Sequence, residues 1–393
     1  CEVVLRSRRS KKRPQDNQSN YGMKLDGTGY VMNLDQLTLW KGKLRIEKRS
    51  APVQWINTSS PIFAILLALL IGGLLPMVIG MNPQEVYRSM LEGIIRSRVG
   101  ASEALVRLAP LLLTGLAVAV PLNANFFNIG AEGQFHVGAI AAFWAARMVP
   151  DLPAWAMIPF LMTAAFAAGA LWGLIPALLK NNLKINEIVT TLMFNYIGIF
   201  WLFHLIHGPW RQVDFFYPET PPLPAAAMLP RIQGTRVHLG LVFGLVAAVI
   251  CYIILKKTIF GYELRMTGAN PEAARASGIK VGRNIALVMI LGGGLAGLGG
   301  MAELSGIIGR LKAELSLNYG YTAISVALLA RMDPLRTIGS ALTLSILFIS
   351  GLYVQRSMQL PFSLTDVIIG LVVILLLLGR FFAEHKLVLE RKL

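Results

Sequence analysis

The chain has 393 residues, of which 55% are hydrophobic and 15% are charged, and its formal net charge is +16. A mean hydropathy of +0.58 and repeated apolar runs of about 18 or more residues are typical of a polytopic integral membrane protein. The positive charge could suggest a nucleic-acid-binding protein. However, the basic residues lie in the tails and in short loops between apolar runs, which favours membrane lipids and argues against nucleic acid as a partner.

The N-terminal region is polar, carries a basic run at positions 6–13 and lacks an apolar signal-peptide region. We predict that residues 1–31 are disordered or come from an over-extended gene start, with Met32 or Met23 as the native start. Residues 32–60 are predicted to form a cytoplasmic N-terminal segment.

Apolar segments then alternate with short polar loops along the chain. The second and third segments are joined by a polar stretch at 123–135, and a proline-rich loop separates the fifth from the sixth. The pattern predicts an all-α integral membrane domain over residues 61–383, with about ten transmembrane helices, one of them short or broken near 321–331, and a cytoplasmic tail at 384–393. The predicted segments are 61–80, 104–122, one that ends near 149, 153–179, 185–207, 239–255, 284–307, 321–330, 335–353 and 364–382. A polar segment at 82–97 has a helical pattern and is predicted to lie on the far surface.

The distribution of basic residues predicts the orientation. Lys180, Lys184, the basic stretch 256–283, Arg331 with Arg336 and both tails fall on one side if the number of crossings is even. The positive-inside rule makes that side cytoplasmic, so both termini are expected there. If the short eighth segment is re-entrant instead, the C-terminus lies outside.

The stretch 256–283 is a polar, basic island that is predicted to contain a short helix. Asn270 can cap the helix, Pro271 suits its first position, and Glu272 complements its positive end. Gly278 suits a left-handed stop. The helix has a slim alanine face that could lie in a groove on another protein, formed by Ala273, Ala274 and Ala276.

The sequence lacks the common motifs for nucleotide binding, catalysis and metal binding, except for one glycine pattern that helix packing explains better. A GxGxxG pattern at Gly292, Gly294 and Gly297 has no preceding strand, and Gly293 with Gly297 forms a GxxxG that predicts close helix packing. The sequence has no GxxxxGK[ST] loop, no HExxH and no GxSxG. Cys1 and Cys251 are too distant and too few to predict a disulfide framework or a metal site. The chain gives no reason to predict an enzyme, a cofactor or a metal site, and any ATP-driven action requires a separate ATPase.

Polar residues at membrane depth are the strongest functional signal. Such groups are costly unless they face a cavity or a partner. In the fifth segment, Glu187, Thr191 and Asn195 share one helix face by their spacing of four. These residues could line a translocation path, or they could join helices by hydrogen bonds, and both interpretations stay open. The path candidates are Asn125, Asn128, Glu132, Gln134, Glu187, Thr191, Asn195 and Glu303.

Four stretches resemble a known family when they are taken together. They are TGLAVAVPLNANFFNIGAEGQFHVGAIAA (114–142), INEIVTTLMFNYI (185–197), FGYELRMTGANPEAARASGI (260–279) and GYTAISVALLARMDPL (320–335). Their order and spacing resemble those of bacterial ABC-importer permeases of the ribose and branched-chain amino acid type, in the simple-sugar and nucleoside branch. The chain departs from that pattern at Arg331, Met332 and Asp333.

The resemblance implies a permease subunit of a bacterial inner-membrane importer that works by alternating access. Its expected partners are an ATPase subunit that binds the ATP, a second and non-identical permease, and an extracytoplasmic substrate-binding lipoprotein. The helix beginning at Pro271 would be the coupling helix, with contacts from Gly268, Asn270, Pro271, Glu272, Ala273, Ala274, Arg275 and Gly278.

Nucleosides rank first and simple sugars second as the expected substrate, because their many hydroxyl and amide groups and lack of net charge suit a cavity of amides and threonine. The alternatives are a permease for branched-chain amino acids and an ion-gradient-driven transporter in which Glu132, Glu187 and Glu303 carry protons.

Overall fold

The computed structural model describes residues 23–26, 29–33, 42–48, 54–78, 80–95, 98–213, 216–359 and 363–391. The chain divides into two compact units. One comprises residues Cys1–Ser60 together with Leu378–Leu393, and the other comprises residues Pro61–Leu377.

The first unit contains a four-stranded antiparallel sheet, with strand order β1-β2-β3-β4. Its strands are β1 (Met23–Asp26), β2 (Gly29–Asn33), β3 (Gly42–Lys48) and β4 (His385–Arg391). The pairing of β3 with β4 joins residues from the two ends of the sequence, from Gly42 opposite Arg391 to Lys48 opposite His385. The all-α prediction therefore does not extend to this unit. The segment 1–31, predicted as disordered, contains β1 and part of β2, and its residues 1–22 and 27–28 lie outside the described residues.

Helices dominate the rest of the chain. In sequence order they are α1 (Gln54–Gly72), α2 (Leu74–Val78), α3 (Pro83–Ile95), α4 (Arg98–Leu122), α5 (Ala131–Met148), α6 (Ala154–Leu183), α7 (Glu187–His207), α8 (Gly240–Lys257), α9 (Ile259–Ala269), α10 (Pro271–Ala276), α11 (Val281–Glu303), α12 (Tyr319–Leu329), α13 (Pro334–Met358) and α14 (Ser363–Glu384).

Six helices of the described chain are both long and apolar enough to cross a membrane. They are α4, α6, α7, α8, α11 with the turn that follows it, and α13. α5 has 18 residues but carries Glu132, Gln134, His136 and Arg147 among its apolar ones. α12 has 11 residues and is about 16 Å long, which is roughly half of a hydrocarbon core. The domain is thus an all-α membrane domain that contains one half-length helix close to the segment predicted to be short.

α11 lies at the centre of the bundle and packs against α4, α5 and α6. Its glycines allow backbone contact, because a Cβ atom built on Gly297 would lie 2.2 Å from the carbonyl oxygen of Ala165. A Cβ atom on Gly293 would lie equally close, at 2.2 Å, to the carbonyl oxygen of Gly169. The predicted packing pair, Gly293 and Gly297, therefore lies where the backbones of α11 and α6 are too close to admit a side chain between them.

Contacts between the ends of helices define the two ends of the bundle. Asn123, just after α4, donates to the carbonyl of Met332 at 3.0 Å, and Lys256 of α8 lies 3.9 Å from Asp333, which caps α13. We call this end, where α9 and α10 also lie, the α10 end. The first residues of α4 and the last residues of α11 and α13 lie at the other end, the opposite end.

Candidate functional site

A charged cavity of about 480 Å³ lies at the opposite end of the bundle. Five basic, three acidic and five apolar side chains line it. They are Arg107, Arg236, Arg310, Lys312 and Arg356; Glu219, Glu303 and Glu314; and Ile307, Ile308, Leu315, Leu317 and Leu352. A cavity of this size falls in the range of small-molecule sites.

A π-helical turn at Leu304–Ile308 follows α11 and forms one wall of this cavity. The proline-rich loop is tied to this wall by backbone hydrogen bonds, from Thr220 to Leu311 at 3.0 Å, from Leu223 to Gly309 at 2.7 Å and from Leu229 to Ser305 at 2.9 Å. Such π turns occur mostly within α-helices and often at functional sites. The loop and the turn therefore form a single covering layer over the end of α11.

The buried side chain of His238 packs between the π-helical turn and the start of α8, beneath the layer formed by the loop and the turn. Its ring is 2% exposed, and Cβ atoms built on Gly240 and Gly306 would collide with it. Burial, together with the positive charge of Arg231, lowers the pKa of His238 from 6.5 to about 4. The neutral ring accepts a hydrogen bond at Nδ1 from the backbone N–H of Gly240 at 3.2 Å.

The deepest charges in the cavity form a cluster of three side chains from three helices. Arg107 of α4 donates from Nη1 to Glu303 Oε1 of α11 at 2.8 Å, and the same nitrogen donates to the hydroxyl of Tyr319 in α12. Glu303 is 1% exposed and Tyr319 is fully buried. Within the described chain, Glu303 Oε2 and Arg107 Nε have no hydrogen-bond partner. Two fully buried atoms, one acceptor and one donor, are thus left without a hydrogen bond by the described residues, beside an ion pair on which Tyr319 also acts.

Two further arginines in the cavity wall are paired with carboxylates. Arg310 is paired with Glu219, and Arg236 Nη1 lies 2.7 Å from Glu103 Oε1 just outside the wall. Lys312 adds a positive charge near Glu303. The wall therefore presents mixed, partly compensated charge rather than a field of one sign.

Most other polar residues predicted for the path form a buried network away from this cavity. Asn128 and Gln134 donate to each other's amide oxygens at 2.9 and 3.0 Å. Asn195 of α7 accepts from the backbone N–H of Gly133 at 2.8 Å and donates to the carbonyl of Ile129 at 2.8 Å. The two bonds of Asn195 fix the start of α5 against α7, as expected for hydrogen bonds that join helices.

Glu132 joins the same network at the start of α12. Its Oε2 accepts from the backbone N–H of Gly320 at 2.7 Å, and its own position is in the first turn of α5. A Cβ atom on Gly320 would lie 2.2 Å from the nitrogen of Glu132, so only glycine permits this approach. One carboxylate therefore complements the positive ends of two helices, which compensates for its burial.

The remaining path candidates have three different environments. Asn125 is exposed in a left-handed conformation with φ of 54°. Thr191 is buried and bonds to the carbonyl of Glu187 in its own helix at 2.6 Å. Glu187 is ion-paired with Lys180 near the α10 end. Among the eight candidates, only Glu303 lines the charged cavity.

The basic island folds as two helices, of which the sequence predicted the second. Asn270 caps α10 by accepting from Glu272 N at 3.0 Å and from Ala273 N at 3.1 Å, and Pro271 occupies the first turn. Gly278 has a φ of +82°, as a left-handed stop requires. α9 was not predicted, and it packs so closely that a Cβ atom on Gly268 would lie 2.4 Å from the carbonyl oxygen of Asn123.

The exposed part of α10 is smaller than the sequence predicted. Ala274 is fully buried and packs with Phe126, Val281 and Ile285 in the bundle, so it is not part of a face for another protein. The other five residues of α10 are exposed, namely Pro271, Glu272, Ala273, Arg275 and Ala276. α10 is thus anchored through one alanine and presents the rest to its surroundings.

Residues 100–377 match the family model described as the branched-chain amino acid transport system / permease component. The chain belongs to this permease family. The glucose ABC transporter permease protein TsgB13 of Haloferax volcanii is 35% identical over 355 residues, covering 88% of this chain and 93% of that protein. The nucleoside permease protein NupB of Lactococcus lactis is 33% identical, covering 73% and 82%. The guanosine permease protein NupP of Bacillus subtilis is 31% identical, covering 80% and 91%.

Of the three residues in the charge cluster of this permease, the sequence indicated Glu303 but not Arg107 or Tyr319. Arg107 lies in an apolar helix, and an arginine in such a position is itself a signal of function. Tyr319 and Lys312 carry no comparable signal, because only folding brings them near Glu303. The described part of the permease contains no group of three or more His, Cys, Asp or Glu side chains that could hold a metal ion.

Proposed function

We propose that this permease imports nucleosides or simple sugars. The observation that carries the proposal is the similarity, over most of both chains, to permeases named for glucose, nucleosides and guanosine. The cavity supports it, because mixed and partly paired charges suit a neutral solute rich in hydroxyl groups better than an ion.

Uptake of labelled solutes tests the substrate class. A strain that carries the whole transport operon is compared with the same strain lacking this gene, with guanosine, glucose and leucine as the labelled solutes. We expect the deletion to abolish uptake of guanosine or glucose and to leave leucine uptake unchanged. Loss of leucine uptake alone would support the branched-chain amino acid alternative and contradict the proposal.

The proposed assembly places this multi-pass permease in the cell membrane beside a second, non-identical permease, with an ATPase at the α10 end and a substrate-binding lipoprotein at the opposite end. About ten crossings, with both termini in the cytoplasm, fit the six long apolar helices supplemented by α5 and the shorter apolar segments. ATP would be bound by the ATPase subunit and not by this chain, whose sequence has no phosphate-binding loop.

An ion-gradient mechanism makes a different prediction for energy coupling. Uptake into vesicles that maintain ATP should continue when a protonophore collapses the proton gradient, and it should stop when the ATPase subunit is inactivated. Collapse by the protonophore alone would favour the ion-gradient alternative.

The exposed surface of α10 supports a role in coupling to the ATPase. Glu272 and Arg275 are exposed, and neither is needed to anchor the helix, since Asn270 and Ala274 do so. We expect Glu272→Ala combined with Arg275→Ala to reduce ATP-driven uptake at least about tenfold, as loss of one or two charged contacts at an interface does. Membrane insertion should stay normal.

The matched control changes an exposed ion pair in another helix. Arg88 and Glu92 of α3 form such a pair at 3.1 Å, and replacing both by alanine should leave uptake within about twofold because exposed pairs contribute little. Unchanged uptake in the α10 variant, or equal loss in the control, would contradict the coupling role.

A further inference from the structure

The charged cavity contains polar atoms whose hydrogen-bonding capacity the described chain leaves unused. Glu303 is 1% exposed, and its Oε1 accepts from Arg107 while its Oε2 has no partner. Arg107 uses Nη1 for Glu303 and Tyr319, and its Nε also has no partner. A buried carboxylate oxygen or guanidinium N–H without a partner costs free energy. Such a cost is expected where a ligand supplies the missing bond.

The arrangement around these atoms is fixed by its neighbours. The hydroxyl of Tyr319, which is fully buried, holds the same guanidinium nitrogen that binds Glu303. Glu303 is the last residue of α11, immediately before the π-helical turn that forms the cavity wall. The ion pair is therefore positioned by α12, through Tyr319, and by the end of α11 with its π-helical turn. Such fixed positions favour a preorganised binding site.

The buried donor and acceptor atoms that lack a hydrogen bond indicate which class of ligand fits the site. An anion would be repelled by the carboxylate oxygen of Glu303, and a cation would be repelled by the guanidinium of Arg107. Neither kind of ion therefore fits the ion pair. A zwitterionic amino acid needs several partners for each charged group, whereas the fully buried atoms of the ion pair that the described chain leaves without a hydrogen bond are one acceptor and one donor. A hydroxyl group donates one hydrogen bond and accepts others, so neighbouring hydroxyls match one free acceptor and one free donor.

We infer that Glu303 and Arg107 form a subsite that binds neighbouring hydroxyl groups of the transported solute at the opposite end of the permease, with Glu303 Oε2 accepting and Arg107 Nε donating. The inference rests on the proposed function, because nucleosides and simple sugars both carry such hydroxyl pairs. The apolar part of the solute would lie against Ile307, Leu317 and Leu352, which line the same cavity.

The test compares each solute with an analogue that lacks the hydroxyl pair. The complete transporter is reconstituted in proteoliposomes, and maximal uptake is measured for guanosine against 2′,3′-dideoxyguanosine, or for glucose against a dideoxyglucose, with the receptor saturated. We expect Glu303→Gln to lower uptake of the parent solute about tenfold or more, the loss expected for a hydrogen bond to a charged group. Uptake of the analogue should change less than about twofold. Equal loss for both solutes would show a structural ion pair only, and it would overturn the subsite.

A matched control and a second variant make the outcome specific. Glu103→Gln also removes a carboxylate from an arginine pair at this end; its partner Arg236 lines the cavity but Glu103 itself does not, so the change should affect parent and analogue alike. Arg107→Lys keeps a positive charge for Glu303 while removing Nε, so it should reproduce the selective loss. Absence of that selectivity in Arg107→Lys would contradict the donor role.

A measurement on the unmodified protein covers the case in which both variants fail to fold. Millimolar parent solute should raise the melting temperature of the wild-type permease assembly without receptor, and the deoxygenated analogue should raise it less. Equal shifts would overturn the subsite. If the wild-type transporter takes up neither guanosine nor glucose, the proposed substrate class fails and the hydroxyl subsite fails with it. If it takes them up without hydroxyl selectivity in the variants, only the subsite fails.

Discussion

Replacing Asn195 by alanine should test whether the buried amides join helices or line a transport path. Asn195 is fully buried on the inner face of α7, and both ends of its amide bond to the backbone near the start of α5. If its role is to join helices, the substitution should lower the free energy of unfolding substantially. If it contacts solute, the substitution should mainly lower the rate of transport.

The magnitude follows from the bonds that are lost. Two side-chain hydrogen bonds of 2.8 Å disappear, each contributing about 0.6 to 1.5 kcal/mol. The N–H of Gly133 lies in the first turn of α5, where no intrahelical acceptor exists, so it is left without a partner, as is the carbonyl of Ile129. With a further cost of about 1 to 3 kcal/mol for buried groups left unsatisfied, we expect a total of about 2 to 6 kcal/mol.

Unfolding of the purified permease in mixed micelles of denaturing and native detergent measures this difference. Met193→Ala is the control, because Met193 is 55% exposed on the outer face of the same helix and should cost less than about 1 kcal/mol. A loss below about 1 kcal/mol in Asn195→Ala, accompanied by reduced transport, would refute the helix-joining role and support the path.

Two further substitutions probe packing and protonation. Gly297→Ala should destabilise the bundle by about 1 to 3 kcal/mol in the same assay, because the new Cβ would lie 2.2 Å from the carbonyl oxygen of Ala165. The control is Gly339→Ala, whose Cβ meets no atom within 4 Å and which should be neutral or stabilising. A Gly297→Ala protein as stable as the wild type would contradict the close crossing of α11 and α6. His238 is neutral in the folded protein because its pKa is about 4 rather than 6.5. As the pH falls, His238 therefore binds a proton in the unfolded chain at a higher pH than in the folded protein. The contribution of neutral His238 to the free energy of unfolding is complete above pH 6.5, and up to about 3 kcal/mol of it is lost as the pH drops to about 4. His238→Asn should remove this part of the pH dependence, and identical pH profiles for the two proteins would exclude His238 as its source.

Local signals in the sequence were sufficient for several elements. Asn270, Pro271 and Gly278 predicted the start and end of α10, since caps act on backbone groups within a few residues of themselves. Apolar runs predicted the long helices because membrane depth sets a minimum length. The same rule predicted that the eighth segment is short, and the structure gives α12 as a helix of 11 residues.

Contacts between distant parts of the chain could not be predicted in this way. Strand β4 pairs with β3 across more than 300 residues of sequence, and neither segment by itself indicates its partner. Ala274 looked like part of an exposed face and is buried, because packing against Phe126 decided which side of α10 turns inward.

The sequence by itself determined that the chain is a helical membrane protein with a capped helix near residue 271, because hydrophobic length and capping depend on neighbouring residues alone. Only the tertiary structure decided which polar residues bond to each other and which face a cavity. Asn195 and Glu303 look alike in the sequence as polar groups in apolar helices. Among the described residues, folding gives both ends of the Asn195 amide a partner and leaves one oxygen of Glu303 without one, because partners come from distant parts of the chain.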